Sequence, residues 1–252
     1  MPGPMLLQPC VAITAGARVE GAYAELAGTR VKALAPVRGS TMLDRTLTAA
    51  LEIAGADRIA VVGGPEVRAV CEARGVRSIE ERDRGGDNVR LALSAWPCDA
   101  PLLYLTSDMP YVSGPALRRF VEAVPADTVA MPICTYAAFA KRFSGAPPFG
   151  VTLDGERVVN GGAFLVPAGA RDAVADLSGA FFDARKSPVR MASLVGASAL
   201  ARLFFKRLSI ASIERRACRV LKHRTVAVRD SAPELAFDAD TAAEYAYACA
   251  HD

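Results

Sequence analysis

The chain has 252 residues, 52% of them apolar and 23% charged, with a formal net charge of +3. That is room for one large α/β domain or two small ones, with a core that needs no covalent staple. So mild a charge argues for no nucleic-acid partner. No uninterrupted apolar run reaches the ~18 residues of a membrane span, and six scattered cysteines beside two histidines offer no zinc constellation. The opening residues Met1 to Met5 carry no basic n-region, and the apolar stretch behind them is too short for a signal peptide. With single cysteines, this suits a cytoplasmic protein.

Cys10 to Thr14 reads as a buried strand. Met42 to Ala54 repeats apolar residues at helical spacing through Leu43, Leu47, Ala50, Leu51 and Ala54. A second buried strand, Arg58 to Gly63, stops at Gly63-Gly64-Pro65. A short helix from Glu66 to Arg74 follows and ends at Gly75. Val76 to Ile79 is a third strand and Asp87 to Trp96 a helix. Leu102 to Thr106 is the clearest strand of the chain. Ser113-Gly114-Pro115 then opens the helix Ala116 to Val124, with Ser113 as its cap. Thr128 to Met131 is a short strand and Lys141 to Pro148 a loop.

The pattern then changes. Phe149 to Leu153 and Arg157 to Val159 flank Asp154-Gly155, a hairpin signal. Asn160-Gly161-Gly162 leads into the strand Ala163 to Val166. Residues 186 to 222 carry helical patterning, Arg224 to Val228 returns to strand, and Asp240 to Ala250 is a closing helix. Strands alternating with helices call for a mainly parallel sheet covered on both faces. The expected fold is a three-layer, Rossmann-like α/β domain over residues 1–252, with an inserted β-hairpin. A helical, basic C-terminal insertion is expected at residues 185–222.

In such sheets ligands sit at the C-terminal ends of the strands. Two segments lie there, Thr14-Ala15-Gly16-Ala17-Arg18 and Ser107-Asp108-Met109-Pro110. The small residues of the first let backbone N–H groups approach phosphates, although it is neither a P-loop nor a GxGxxG fingerprint. Lys32, in an apolar run closed by Pro36, is either an ordinary solvated lysine or a compact charge for a triphosphate. Asp108 is a hard oxygen ligand for Mg²⁺. Asp238, in Phe237-Asp238-Ala239-Asp240-Thr241, could complete a metal site with it, while Asp240 or Thr241 caps the last helix. Gly85-Gly86-Asp87-Asn88 opens a helix. Asp87 and Asn88 either cap it or read the edge of a nucleobase.

The order of these segments, from TAGAR and VKALAPVRGSTMLDRTL through GGDNVRLAL, LLYLTSDMP and NGGAFLVP to FDADTAAEY, resembles the MobA-like nucleotidyltransferases, a GT-A-like fold. The resemblance runs from about Val11 to Tyr245. It implies that Thr14, Ala15, Gly16, Ala17 and Arg18 hold phosphates with Lys32, and that Asp108 and Asp238 bind metal. It also implies that Gly85, Gly86, Asp87 and Asn88 lie near the base, and that Asn160 and Gly161 lie on the acceptor side. The implied activity is Mg²⁺-dependent transfer of an NMP from an NTP to a small phosphorylated acceptor, with Arg18, Lys32 and Asp108 as the catalytic residues. Such an acceptor is already ionised, so no general base is demanded, in keeping with only two histidines. Ala17 stands where the family often has glycine, and Ala242-Ala243-Glu244 where Pro-Glu-Asp is common. Two other readings stay open: a nucleotide-sugar glycosyltransferase, which Ser107-Asp108-Met109 disfavours by lacking Asp-x-Asp, and a non-catalytic nucleotide-binding module.

Residues 202 to 229 set nine cations (Arg202, Lys206, Arg207, Arg215, Arg216, Arg219, Lys222, Arg224 and Arg229) against Glu214 alone. Ile210, Ile213, Ala217, Val220 and Leu221 form one helical apolar stripe there. A solvated face over a core stripe accounts for this. So does an anionic acceptor site, a subunit contact or a peripheral contact with an anionic membrane.

Overall fold

The centre of the molecule is built on Val11, Ala12 and Ile13, which are completely buried and therefore need an apolar layer on each side. The structure, a computed structural model, describes residues 9–96, 100–184, 187 and 208–252. Strand β1 (Cys10–Thr14) lies between β4 (Ile59–Gly63) and β6 (Leu102–Thr106) and is parallel to both. Beyond β4 runs β5 (Arg77–Glu80), also parallel. The small pair β2 (Pro36–Val37) and β3 (Ser40–Thr41) forms a separate ribbon.

The two faces of β1 meet different helices. Val11 and Ile13 pack with Leu43 and Leu47 of α2 (Met42–Leu51), Val67 and Cys71 of α3 (Pro65–Ala73), and Leu117 and Phe120 of α5 (Gly114–Ala123). Cys10 and Ala12 pack with Val89, Ala92 and Leu93 of α4 (Gly85–Leu93) and Ala175 of α7 (Arg171–Ala184). Fully burying each large aliphatic side chain contributes roughly 1.5–3 kcal/mol before entropy, so these two faces dominate the stability. The three-layer, Rossmann-like fold expected from the alternation is the one observed.

The other half of the sheet is mixed. Strand β10 (Ala163–Val166) runs antiparallel between β6 and β7 (Thr128–Thr135). Strand β7 is longer than the expected Thr128 to Met131. Its first half pairs in parallel with β11 (Arg224–Val228), and its second half pairs antiparallel with β9 (Glu156–Asn160). The expected hairpin is β8 (Val151–Leu153) with β9. Its turn holds Asp154 and Gly155 at φ 52° and 79°, the left-handed pair that a two-residue turn of this kind requires. The whole order is β5-β4-β1-β6-β10-β7-β9-β8, with β11 on β7.

Four expectations are corrected. The third strand begins one residue later, at Arg77, and runs to Glu80. The strand expected from Phe149 begins at Val151. Part of the expected loop is a short helix, α6 (Tyr136–Arg142), capped by the Thr135 hydroxyl on the Ala138 N–H at 3.1 Å. Two turns are too few to establish a helical period. The apolar stripe of α8 (Ile210–Leu221) divides: Ile210 and Leu221 are buried, whereas Ile213 and Val220 are exposed. Residues 185–186 and 188–207, including Arg202, Lys206 and Arg207, lie outside the described residues. Among the described residues no helix is long and apolar enough to cross a membrane.

A second core carries the closing segment onto the sheet. Tyr111, Phe139, Phe143 and Phe237 pack ring on ring, joined by Tyr23 of α1 (Gly21–Ala27) and Tyr245 of α9 (Ala242–Ala250). The Tyr23 hydroxyl donates to the Ala239 carbonyl at 2.8 Å, and the Ala239 N–H donates to the Asp108 carbonyl at 2.9 Å. These contacts fix residues 237–241 beside the C-terminal end of β6.

Candidate active site

The strand order β5-β4-β1-β6 reverses direction at β1, and a parallel sheet opens a crevice at such a switch point. Thr14 and Thr106 are paired at the ends of β1 and β6, so their two exit segments rise side by side. The Thr14 hydroxyl is engaged with the Tyr104 hydroxyl at 2.7 Å, and burial foremost pushes the Tyr104 phenol up to about 12. What Thr14 presents to the crevice is therefore backbone.

After α1 the chain doubles back against this loop. The Val19 N–H donates to the Arg30 carbonyl and the Lys32 N–H to the Ala17 carbonyl, at 2.9 and 3.0 Å. This antiparallel return places Lys32 behind the loop, buried rather than solvated. Its Nζ donates to Asp108 Oδ2 at 2.6 Å and to Asp240 Oδ1 at 2.5 Å. Burial works against the ammonium. The two carboxylates together outweigh burial and hold Lys32 above the usual lysine range.

Around this ion pair three buried oxygens stand without a hydrogen-bond partner among the described residues: Asp108 Oδ1, Asp238 Oδ1 and Thr106 Oγ1. Buried polar atoms are nearly always satisfied, so three orphans in one neighbourhood call for an explanation. Gly162 lies among them. A Cβ there would come within 2.3 Å of Thr106 Oγ1 and 3.0 Å of Asp238 Oδ1. Burial first, then the charges of Asp108 and Asp240, push the Asp238 carboxyl well above the usual carboxylate range. A divalent cation satisfies such oxygens, and Mg²⁺ needs only one or two carboxylates when phosphates supply the rest. Among the described residues no group of three or more His, Cys, Asp or Glu side chains forms a ready-made cage. Asp108 and Asp238 thus fit a metal that arrives with its substrate.

Arg18 turns back over its own loop. Its Nη1 donates to the Gly16 carbonyl at 3.1 Å, and its Nη2 lies 2.9 Å from Glu81 Oε1 and 3.3 Å from Glu66 Oε2. Glu66 belongs to the first turn of α3 and Glu81 follows β5. Neither was among the residues expected at the site, nor was Asp240 as a partner of Lys32. The signal was available for Glu81: it follows a parallel strand, as Arg18 and Asp108 do. Ending that strand at Ile79 hid it. Thr241, not Asp240, caps α9, in a capping box with Glu244.

The segment expected near the base is organised differently. Helix α4 begins at Gly85 after Arg84, so Asp87 and Asn88 already lie inside it and neither caps it. The Asn88 side chain pins Arg82, accepting from its N–H at 2.6 Å and donating to its carbonyl at 3.0 Å. Both glycines sit under α7. A Cβ on Gly85 would meet the Phe182 ring at 2.5 Å and one on Gly86 the Gly179 Cα at 2.8 Å. Close helix packing thus accounts for both. Gly161 is a crossing point, where a Cβ would lie 1.9 Å from the Leu235 carbonyl oxygen. Asn160, exposed at the end of β9, leads through Gly161 to Gly162 and hence to Asp238.

A Rossmann-like sheet with a small-residue loop, a buried lysine and two aspartates at its switch point makes an α/β protein with a ligand crevice at the C-terminal ends of its strands. The model of the MobA-like NTP transferase domain matches residues 24–226, and the chain belongs to that family. A search of curated proteins returns no match. Among solved structures, a hypothetical transferase from Thermus thermophilus is similar with a TM-score of 0.81 at 25% identity, over 95% of this chain and 100% of that one. The 2-C-methyl-D-erythritol 4-phosphate cytidylyltransferase of Thermus thermophilus shares the fold at TM-score 0.56 and 21% identity, over 97% and 98% of the two chains. So does Rv0371c of Mycobacterium tuberculosis H37Rv in complex with manganese, at 0.56 and 17%, over 98% and 100%.

Proposed function

We propose that this protein transfers an NMP from an NTP to a small phosphorylated acceptor and releases pyrophosphate. One observation carries the reading: a buried lysine lies against Asp108, beside orphaned oxygens of Asp108 and Asp238, at the switch point of the sheet. Asp108 and Asp238 would hold Mg²⁺, which when bound supplies neutralisation of phosphate charge.

The chain's own residues do the rest by position and charge. The backbone of Gly16 and Ala17 would offer N–H groups to the phosphates, the Ala15 N–H being held by the Val62 carbonyl at 2.7 Å. Lys32, already poised on Asp108, meets the negative charge that grows during displacement, and Arg18 supplies a second cation. An ionised oxygen of the acceptor's phosphate attacks the α-phosphorus. The bond from that phosphorus to the bridging oxygen breaks, and its electron pair leaves with pyrophosphate. No proton is moved, so no base is required. Asn160 and Gly161, continuous with Gly162, are assigned to the acceptor side.

The test is pyrophosphate release with each of the four NTPs, Mg²⁺ and a panel of small phosphorylated acceptors, wild type against Asp108→Asn. CTP comes first, because a fold neighbour, a CMP:2-keto-3-deoxy-manno-octonic acid synthetase, was solved with it. The expected result is metal-dependent turnover of one NTP, falling at least ~100-fold in the variant. Undiminished turnover in the variant removes Asp108 from the reaction.

A further inference from the structure

We propose that Glu66 and Glu81 set the nucleotide affinity of this site by competing with its phosphates for Arg18. The proposal rests on the nucleotide reading above. Arg18 Nη2 carries two hydrogens. It is 2.9 Å from Glu81 Oε1 and within 3.4 Å of both Glu66 oxygens, so its donors are divided between two carboxylates. A phosphate that takes Nη2 must displace one of them. One guanidinium charge thus faces two carboxylate charges.

The carboxylates are placed for this contest. The Glu81 N–H donates to the Gly63 carbonyl at 3.1 Å, which fixes the backbone of Glu81 beside the loop. The Glu81 carboxylate lies directly on Gly16, where a Cβ would fall 1.6 Å from its Oε2. Over Gly64, a Cβ would meet Glu66 Oε2 at 2.5 Å and both Arg18 Nη2 and Glu81 Oε1 at 2.8 Å. The two glycines therefore floor a cluster of one guanidinium and two carboxylates. An acidic group already rests against the loop backbone that a phosphate would use.

The contest is evenly matched. The side chains of Arg18, Glu66 and Glu81 are 37%, 45% and 19% exposed, and ion pairs so open to water hold weakly. A phosphate offers guanidinium a paired, charge-assisted contact of at least equal strength. The carboxylates then act as a threshold on affinity rather than as a block.

Calorimetric titration of the four Mg-NTPs and of inorganic tripolyphosphate tests this, using the whole chain as wild type, Glu81→Gln, Glu66→Gln and Arg18→Ala. Glu81→Gln is expected to bind the preferred NTP and tripolyphosphate about 5-fold more tightly, and Glu66→Gln about 2-fold. Added to Arg18→Ala, the Glu81→Gln change should alter affinity less than about 2-fold. Weaker binding by Glu81→Gln would make Glu81 a support of Arg18 and overturn the competition. Equal tightening with and without Arg18 would reduce it to general repulsion and overturn it as well. Binding of no NTP by any form would refute the nucleotide reading and the competition with it, whereas wild-type binding with unaltered variants refutes the competition alone.

Discussion

Replacing Lys32 with methionine keeps the buried aliphatic stem and removes only the ammonium. Asp108 then loses its Oδ2 partner while its Oδ1 already has none, and Asp238 and Asp240 remain beside it. Breaking a fully buried ion pair by removing one partner costs about 3–5 kcal/mol. Here Asp108 is 16% exposed and Asp240 69% exposed, so water screens the second carboxylate and part of the first. The expected loss is about 2 kcal/mol. For a chain of this length that is roughly 4–8 °C in Tm, read by calorimetry in EDTA. If Asp108 and Asp238 bind a divalent cation, that cation replaces the missing charge. Mg²⁺ supplied with an NTP, at 100 times the Kd of the pair, adds ~2.7 kcal/mol and should return the variant to within a few degrees of wild type in EDTA. A Lys32→Met protein as stable as wild type in EDTA would show that the ion pair does not hold the site together. Lost stability that Mg²⁺ together with an NTP does not restore would refute the metal assignment without recourse to any activity.

Gly161→Ala should cost about 2–3 kcal/mol, because its Cβ would lie 1.9 Å from a backbone oxygen that only a shift of the chain can clear. A denaturant midpoint equal to wild type would contradict that crossing. The thiols should divide by burial. Burial foremost pushes the Cys134 thiol up to about 11, so at pH 8 its reactive thiolate is scarce, whereas Cys249 is exposed. Labelling with a thiol reagent at pH 8, mapped by peptide mass, should modify Cys249 well before Cys134. Faster labelling of Cys134 would mean that the aromatic core opens.

The layers of this protein were legible in the sequence for a local reason. Val11 to Ile13, Ile59 to Val62 and Leu102 to Leu105 are unbroken apolar runs between turn residues, and such runs can be satisfied only as strands covered on both faces. Asp154-Gly155 announced its turn because few residue pairs accept two positive φ angles in succession. The ends of β1 and β6 were marked for the same kind of reason, and so the loop at Thr14 to Arg18 and Asp108 could be named. Helix α6 escaped because two turns carry too little period, and the sequence alone does not show that Gly85 and Gly86 lie under α7, because helix packing and ligand contact both ask for a small residue. The partners of the charged residues could not be read at all. Lys32 looks solvated among its neighbours. It is buried and ionised only because the sheet order sets β6 beside β1, and the aromatic core folds a segment 208 residues away over its end. Apolar patterning is a property of one segment and survives in a linear chain. Charge pairing depends on which strand ends become neighbours, and that is decided only when the layers close.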